Sequence, residues 1–194
     1  MKPSFRQLAH SFLGGRLTEL GFAYEHGTYW RELLSGVIQL VMIAHDARTN
    51  KTFGVLCGLN ARPIAGDVNI ANLGIVRGWH VTSKGWDCNS GRWPCDDRSS
   101  AEKSLQTITQ LIDTLIEPWF ALHTRLSDVA NQMEEPRGLQ RAALYITDGN
   151  FMKARSALQA LLQWLRTPKP WMTSEELEAV RQDAEFLLQG IGEK

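Results

Sequence analysis

Two apolar stretches separated by a short polar segment constrain the fold more than any other feature of this sequence. Val37 to His45 alternates between two sets of side chains, and both sets are largely apolar. Such a strand is expected at a central position in a sheet, because both of its faces must be buried. Thr52 to Asn60 follows after a polar turn containing Thr49 and Asn50, so the two stretches are predicted to form an antiparallel hairpin.

Two further stretches carry strand patterns. Aromatic residues between Phe22 and Trp30 are interrupted by Gly27, which indicates either one strand or a short hairpin. Ile75 to Val81 alternates between two faces and predicts another strand. Residues 82–98 have little periodicity and predict a long loop, a feature that is often functional in compact domains. We therefore expect an antiparallel sheet of about four strands.

Helical periodicity marks both ends of the chain. Apolar residues recur at helical spacing over residues 4–20, with Ser4 as the N-cap. A second apolar stripe begins after a capping box at Ser99 and is interrupted by Pro118, which predicts two helices or one long kinked helix with one buried face. Its members are Leu105, Ile108, Leu111, Leu115, Trp119, Leu122, Leu126, Val129 and Met133.

The remaining sequence predicts a C-terminal helical hairpin or bundle. Three shorter helices are expected at about 137–147, 150–166 and 174–189, separated by turn residues. The fold class is therefore α+β, with an α+β domain over residues 1–135 and a helical extension over 136–194 that packs on it. One helix-turn-helix unit resembles a solenoid repeat, but a second copy at a fixed period is missing from the sequence.

Charge and hydropathy narrow the choice of partners. Twenty-one basic residues balance twenty-one acidic ones, so the overall charge disfavours a nucleic-acid partner. No stretch reaches the length of a membrane-spanning helix, and polar residues interrupt the N-terminal segment too early for a secretory signal. These features predict a cytoplasmic protein that does not bind membranes.

The cysteines indicate neither a disulfide framework nor a metal site. There are three cysteines, Cys57, Cys88 and Cys95, and no CxxC pair occurs. A zinc site on Cys88 and Cys95 would need two more ligands, and His80 is the only histidine nearby. Motifs of known catalytic families are also missing, so we predict no metal, no cofactor and no catalytic residue.

A group of tryptophan and arginine residues predicts a protein-binding surface. Arg77 and Trp79 share one strand face, where a guanidinium can lie over an indole. The loop that follows is also rich in both residue types, which dominate protein–protein hot spots. The predicted surface consists of Arg77, Trp79, Trp86, Arg92, Trp93, Asp96 and Asp97. The alternative is a loop folded back so that Trp86 and Trp93 fill the core.

Several short motifs occur in a fixed order along the first two thirds of the chain. They are Leu20-Gly21-Phe22, Gly27, Trp30-Arg31, Arg77 with Trp79, and Pro118-Trp119-Phe120. This arrangement resembles a bacterial family of small α+β proteins, a domain of unknown function, over roughly residues 5–130. The resemblance implies a curved antiparallel sheet with helices on one side, and neither an activity nor site residues. Proteins that look like this are sometimes immunity partners encoded beside bacterial toxins, so the resemblance also implies a role of that kind.

Two functions from different classes follow. The favoured hypothesis is a non-catalytic binding protein, most specifically an immunity or inhibitor protein that neutralises a toxin. The alternative is an enzyme acting on a small molecule or nucleotide in a cleft between the sheet and the helical tail. Its acid–base groups would be His45, His80 or Asp97. His45 and the neighbouring Asp46 do not suit a catalytic pair, because adjacent strand residues point to opposite faces.

Overall fold

The chain divides into two compact units in the computed structural model. The model describes residues 4–46, 48–62, 77–87, 91–133, 137–167 and 169–192. The first unit is Met1–Thr124 and the second is Arg125–Lys194. The boundary between the units follows Thr124, whereas the sequence pattern places it after residue 135. The fold is α+β, as predicted, with an N-terminal helix, an antiparallel sheet and C-terminal helices.

The sheet of the first unit has seven strands within the described residues, and the prediction of about four strands is wrong. Strands β1 to β6 follow one another in space in chain order, each antiparallel to the next, and β7 pairs with the first residues of β4. Their bounds are β1 Ala23–Glu25, β2 Thr28–Glu32, β3 Val37–His45, β4 Thr52–Ala61, β5 Arg77–Thr82, β6 Gly85–Asp87 and β7 Trp93–Pro94.

The additional strands are short, and this explains why the sequence pattern missed them. The aromatic stretch after Phe22 is a hairpin whose turn has positive φ angles at His26 (49°) and Gly27 (90°), as a two-residue turn requires. Strands β6 and β7 comprise three and two residues. So few residues cannot display an alternating pattern, and these strands exist because they pair with β5 and β4.

The β3–β4 hairpin occupies the centre of the sheet, as predicted. Val37 pairs with Ala61 at one end and His45 with Phe53 at the other. Strand β3 also pairs with β2, and β4 also pairs with β5, so each strand has a neighbour along both edges. Residues 37–41 of β3 are all buried, which accounts for the apolar character of both faces.

Helices of the first unit lie against one face of this sheet. Helix α1 spans Phe5–Glu19 and begins with a capping box between Ser4 and Gln7. The Phe5 ring lies 4.8 Å from that of Phe53 on β4. Helix α2 spans Arg98–Leu111, and its N-cap is Asp97 rather than the predicted Ser99. The Asp97 carboxylate precedes the first free N–H groups of the helix, so it can accept from Ser100.

A π-helical turn at Ile112–Ile116 joins α2 to helix α3, Glu117–Ala121. The N–H of Glu117 donates to the carbonyl of Ile112, five residues earlier. The turn precedes Pro118, which lacks an N–H and in a regular α-helix would clash with the carbonyl four residues back. The chain is therefore helical through 98–121 with an irregular turn, which agrees with the predicted interruption at Pro118.

Leu105 and Ile108 are buried as predicted, but after Ile108 the buried stripe of this helical segment is shifted by one residue from the predicted stripe. The fully buried side chains after Ile108 are Ile112, Ile116 and Phe120. The sequence pattern indicated Leu111, Leu115, Trp119 and Leu122, and Leu122 is 77% exposed. Because the π turn is wider than an α turn, residues four apart stay on the same side of the helix. Both candidate stripes are apolar, so periodicity alone could not choose between them.

The second unit consists of four helices within its described residues. They are α4 Leu126–Asn131, α5 Gly138–Thr147, α6 Phe151–Trp164 and α7 Ser174–Gly192. The last three match the predicted positions closely. Gly149 turns the chain between α5 and α6 with a φ of 73°, and the Asn150 side chain accepts from Lys153 N–H to cap α6. No helix in the described ranges has both the length and the apolar character needed to span a bilayer.

Candidate binding site

Trp93 belongs to the core of the first unit. Its side chain is 6% exposed, and its indole Nε1 donates a hydrogen bond to the Val81 carbonyl oxygen at 2.7 Å. Its backbone pairs with Phe53 across β7 and β4. The folded-back alternative is therefore correct for this residue. Only a small part of the Trp93 side chain can be reached by a partner, so its main contribution to any site is structural.

Trp86 lies at the edge of the sheet and is half-buried. Its ring centroid is 5.3 Å from that of Trp119 on α3, which in turn is 4.4 Å from the His123 ring. The His123 Nδ1–H donates to the Trp119 carbonyl at 2.7 Å, because a carbonyl can only accept. These contacts hold Trp86 against the helix while leaving part of its ring accessible.

The two predicted site residues on β5 lie between β4 and the edge strand β6. Trp79 is half-buried and its backbone pairs with Cys57 of β4. Arg77 pairs with Leu59 through its backbone, and its side chain lies outside the described part of the structure. The predicted stacking of the Arg77 guanidinium on the Trp79 indole therefore stays a prediction.

Arg92 is exposed and forms an ion pair with Asp46. The side chain is 62% exposed, and its Nη1 lies 3.3 Å from the Asp46 carboxylate. Hydrogen bonds from Thr49 and Arg48 and the charge of Arg92 hold the pKa of Asp46 below its usual range. Because the Arg92 side chain is exposed and Asp46 also accepts from the backbone of Arg48 and Thr49, a carboxylate on a partner could replace Asp46 as the ion-pair partner of Arg92.

Asp97 caps helix α2, and Asp96 contacts the side chain of Ser100 in the same helix. The Asp97 carboxylate accepts from the Ser100 N–H at 2.8 Å, and Asp96 accepts from the Ser100 hydroxyl at 3.1 Å. Hydrogen bonds from the backbone N–H groups of Ser100 and Ser99 hold the pKa of Asp97 below its usual range. Both carboxylates thus have a local structural role, although both side chains are exposed.

A groove lies where the predicted loop meets helix α2, and we refer to it as the β7 groove. It has a volume of about 350 Å³, and the buried Trp93 contributes to its wall. Ser104 fixes the helix to the strand, because its hydroxyl donates to the Pro94 carbonyl at 2.8 Å. The polar residues of the groove are Thr82, Ser83, Arg92, Lys103, Ser104 and Thr107.

Lys103 gives the β7 groove a second exposed cation. Within the described ranges Lys103 forms no ion pair, although its charge contributes to the lowered pKa of Asp97. Among the residues that line the groove none is acidic. The sequence pattern missed Lys103, Ser104 and Thr107 because they are ordinary polar positions on an amphipathic helix. Only the pairing of β7 with β4 brings the Arg92 segment beside them.

The three acid–base candidates do not form a catalytic arrangement. His45 pairs with Phe53 and stacks on Phe5 with 4.6 Å between ring centroids. His80 pairs with Leu56, the position on β4 that faces away from the side carrying Phe53. The two imidazoles therefore lie on opposite faces of the sheet. Asp97 is engaged in capping, and its lowered pKa favours the carboxylate, which cannot act as a general acid.

The described thiols are poor nucleophiles. Complete burial raises the pKa of the Cys57 thiol far above its usual range, and burial also raises the pKa of Cys95. Such thiols stay protonated near neutral pH, and the thiolate is the reactive form. Cys88 lies outside the described residues. Over the described ranges, no three His, Cys, Asp or Glu side chains are grouped to hold a metal ion.

The chain matches no protein-family model, and neither a curated protein nor a solved structure shows significant similarity to it. The resemblance of its short motifs to a bacterial family therefore stays a prediction.

Proposed function

We propose that this chain is a non-catalytic binding protein that recognises an acidic segment of a protein partner at the β7 groove. The observation that carries the proposal is the pair of exposed cations, Arg92 and Lys103, in a groove without acidic lining residues. Carboxylates of a partner would be attracted to these cations and would meet hydroxyl groups beside them.

The size of the groove favours a few anchoring side chains over an engulfed substrate. Its volume of about 350 Å³ is near the lower end of the range for small-molecule sites, ~300–1,000 Å³. Its wall is rigid, since Trp93 is buried and hydrogen-bonded and Ser104 is fastened to Pro94. A preformed wall reduces the entropy that is lost when a partner docks.

The described histidine and cysteine candidates also favour binding over catalysis. The His45 and His80 imidazoles lie on opposite sheet faces, and the described thiols have raised pKa values. The most specific form of the proposal is an immunity or inhibitor protein, as the motif resemblance implies, which neutralises a bacterial toxin in the cytoplasm. An acidic surface on the toxin is then the expected contact.

The experiment compares the parent protein with charge-reversed variants. The chain is co-expressed with the product of the adjacent gene, and the growth of the cells is measured. Binding of the two purified proteins is then measured by calorimetry. Arg92→Glu combined with Lys103→Glu is expected to weaken binding by about tenfold or more, because like charges then face the partner. Arg98→Glu is the matched control, since Arg98 is 66% exposed and also forms a single ion pair.

The outcomes separate the groove from general charge effects. A tenfold loss for the double variant with unchanged binding for Arg98→Glu supports the proposal. Equal losses in both variants would show a non-specific effect of net charge. If the adjacent product does not bind and cell growth is not rescued, the immunity form of the proposal is wrong.

A further inference from the structure

A second polar cavity lies within the helical unit. Its residues lie between 131 and 160, outside the segment that forms the β7 groove, so the inference drawn from it is independent of the proposed function. Its volume is about 240 Å³, and α4, α5 and α6 each contribute lining residues. We call it the α5–α6 pocket and define it by Asn131, Arg141, Tyr145, Lys153 and Ser156. The other two residues that line it are alanines, so none of its lining side chains is acidic.

Two cations flank one aromatic ring in this pocket. The Arg141 Cζ lies 5.9 Å from the Tyr145 ring centroid, and the Lys153 Nζ lies 5.7 Å from it. Arg141 and Tyr145 are four residues apart and therefore share a face of α5. Within the part of the chain that the structure describes, neither cation forms an ion pair with a carboxylate.

Arg141 carries the most informative atom of the pocket. Its Nε is buried, yet it has no hydrogen-bond acceptor within the described residues. Buried donors in folded proteins are almost always paired, so an orphan donor on a guanidinium is unusual. An acceptor from a bound ligand would satisfy it, and the adjacent pocket provides the route for such a ligand.

The Asn131 side chain adds a further donor. Its Oδ1 accepts from the Tyr145 hydroxyl at 2.8 Å and from the Lys153 Nζ at 3.4 Å. These two bonds fix the carbonyl end of the amide. Among the described residues no acceptor is bonded to its Nδ2 group, which can therefore donate to a ligand. The Ser156 hydroxyl can donate as well. The pocket thus combines several donors with two positive charges.

From this arrangement we infer that the α5–α6 pocket binds a dianionic oxyanion of the phosphate type, either free or as a phosphomonoester. Among the described residues these two cations have no carboxylate partner, so together they match a ligand with about two negative charges, and a phosphomonoester carries about −1.5 to −2 near pH 7. A phosphate has acceptor oxygens in several directions, which matches donors from three helices. A single carboxylate would leave one of the positive charges uncompensated.

The test is an NMR titration of the full chain with inorganic phosphate, followed by acetate as the comparison ion. Phosphate is expected to shift the Arg141 Nε–H and Asn131 Nδ2 signals in a saturable manner over the millimolar range. Acetate is expected to bind about tenfold more weakly or worse, because it offers one charge and two oxygens. Phosphoserine then tests the phosphomonoester form, and saturable shifts of the same signals are expected.

Two variants and a control keep the test specific. Lys153→Gln changes an exposed residue and is expected to weaken phosphate binding about tenfold. Arg141→Lys keeps the charge but removes the Nε donor, and an equal or larger loss is expected. Arg155→Gln, an exposed residue of α6 that lines a different cavity, should have no effect. Unfolding curves identify any variant that is misfolded, and Lys153→Gln then decides alone.

The inference is overturned by any of three results. Phosphate shifts that do not saturate or that occur outside the pocket would exclude the site. Equal affinity for acetate and phosphate would exclude a dianion preference. An equal loss in Arg155→Gln and Lys153→Gln would assign the binding to the general charge of α6.

Discussion

Arg31 and Glu117 form an ion pair that joins strand β2 to helix α3, with 2.9 Å between Nη2 of Arg31 and Oε2 of Glu117. The same guanidinium donates to the Leu20 carbonyl at 2.6 Å and to Gln39 Oε1 at 2.7 Å. Its Cζ lies 4.4 Å from the Phe22 ring centroid. Arg31 therefore connects the end of α1, the centre of the sheet and the segment after the π turn.

Replacing Arg31 tests this connection. In Arg31→Leu the half-buried Glu117 carboxylate and the Leu20 carbonyl lose their donor, and the fully buried Gln39 loses one partner. The expected decrease in the free energy of unfolding is about 2–4 kcal/mol, because an isolated charge is left in a partly buried site. Urea denaturation measures the change. Arg98→Leu, which removes an exposed pair with Glu102, should cost much less.

Replacing two glycines by alanine is expected to change the stability of the protein in opposite directions. A Cβ on Gly91 would lie 2.7 Å from the His80 Cβ and 3.0 Å from the Val81 carbonyl oxygen. Gly91→Ala is therefore expected to destabilise the protein by about 1–3 kcal/mol. Gly15→Ala meets nothing within 4 Å and lies inside α1, so it should stabilise by about 0.5–1 kcal/mol. Thermal unfolding compares them, and the same sign for both would refute the packing described at Gly91.

Trp93→Phe examines the burial of the predicted loop. The change removes the indole donor and leaves the buried Val81 carbonyl without that hydrogen bond, for an expected loss of about 1–3 kcal/mol. Trp86→Phe is the matched control at a half-buried position and should cost less. Chemical denaturation of both variants gives the comparison. A larger loss for Trp86→Phe would contradict the assignment of Trp93 to the core.

The cap at Asp97 predicts a dependence of stability on pH. Its pKa is lowered in the folded protein by the backbone N–H of Ser100, so its ionised form stabilises the fold. This contribution is fully present above the ordinary aspartate value of about 3.9 and is lost as the pH falls through the lower folded value. Asp97→Ala should therefore be less stable than the parent at neutral pH, and the difference should shrink in acid. Asp96→Ala is the control, and identical pH profiles for the two variants would contradict the capping role.

Sequence patterns predicted the elements that have a strong local signal. The β3–β4 hairpin was predictable because both strands are long and apolar. Helices α1, α6 and α7 begin after side-chain caps at Ser4, Asn150 and Thr173 that are visible in the sequence. Of the proposed groove, the sequence indicated Arg92 and its neighbour Trp93. It did not indicate Lys103, because nothing local distinguishes a groove lysine from any other exposed lysine.

Local order along the chain was thus determined by the amino-acid sequence itself: alternating apolar residues specify strands, and caps and periodic leucines specify helices. Tertiary structure alone decided which apolar stripe of 98–121 is buried, that Trp93 is inside, and that Arg141, Lys153 and Asn131 converge on one pocket. The physical reason is that burial, strand pairing and charge compensation depend on residues far apart in the chain, whose distances no local pattern encodes.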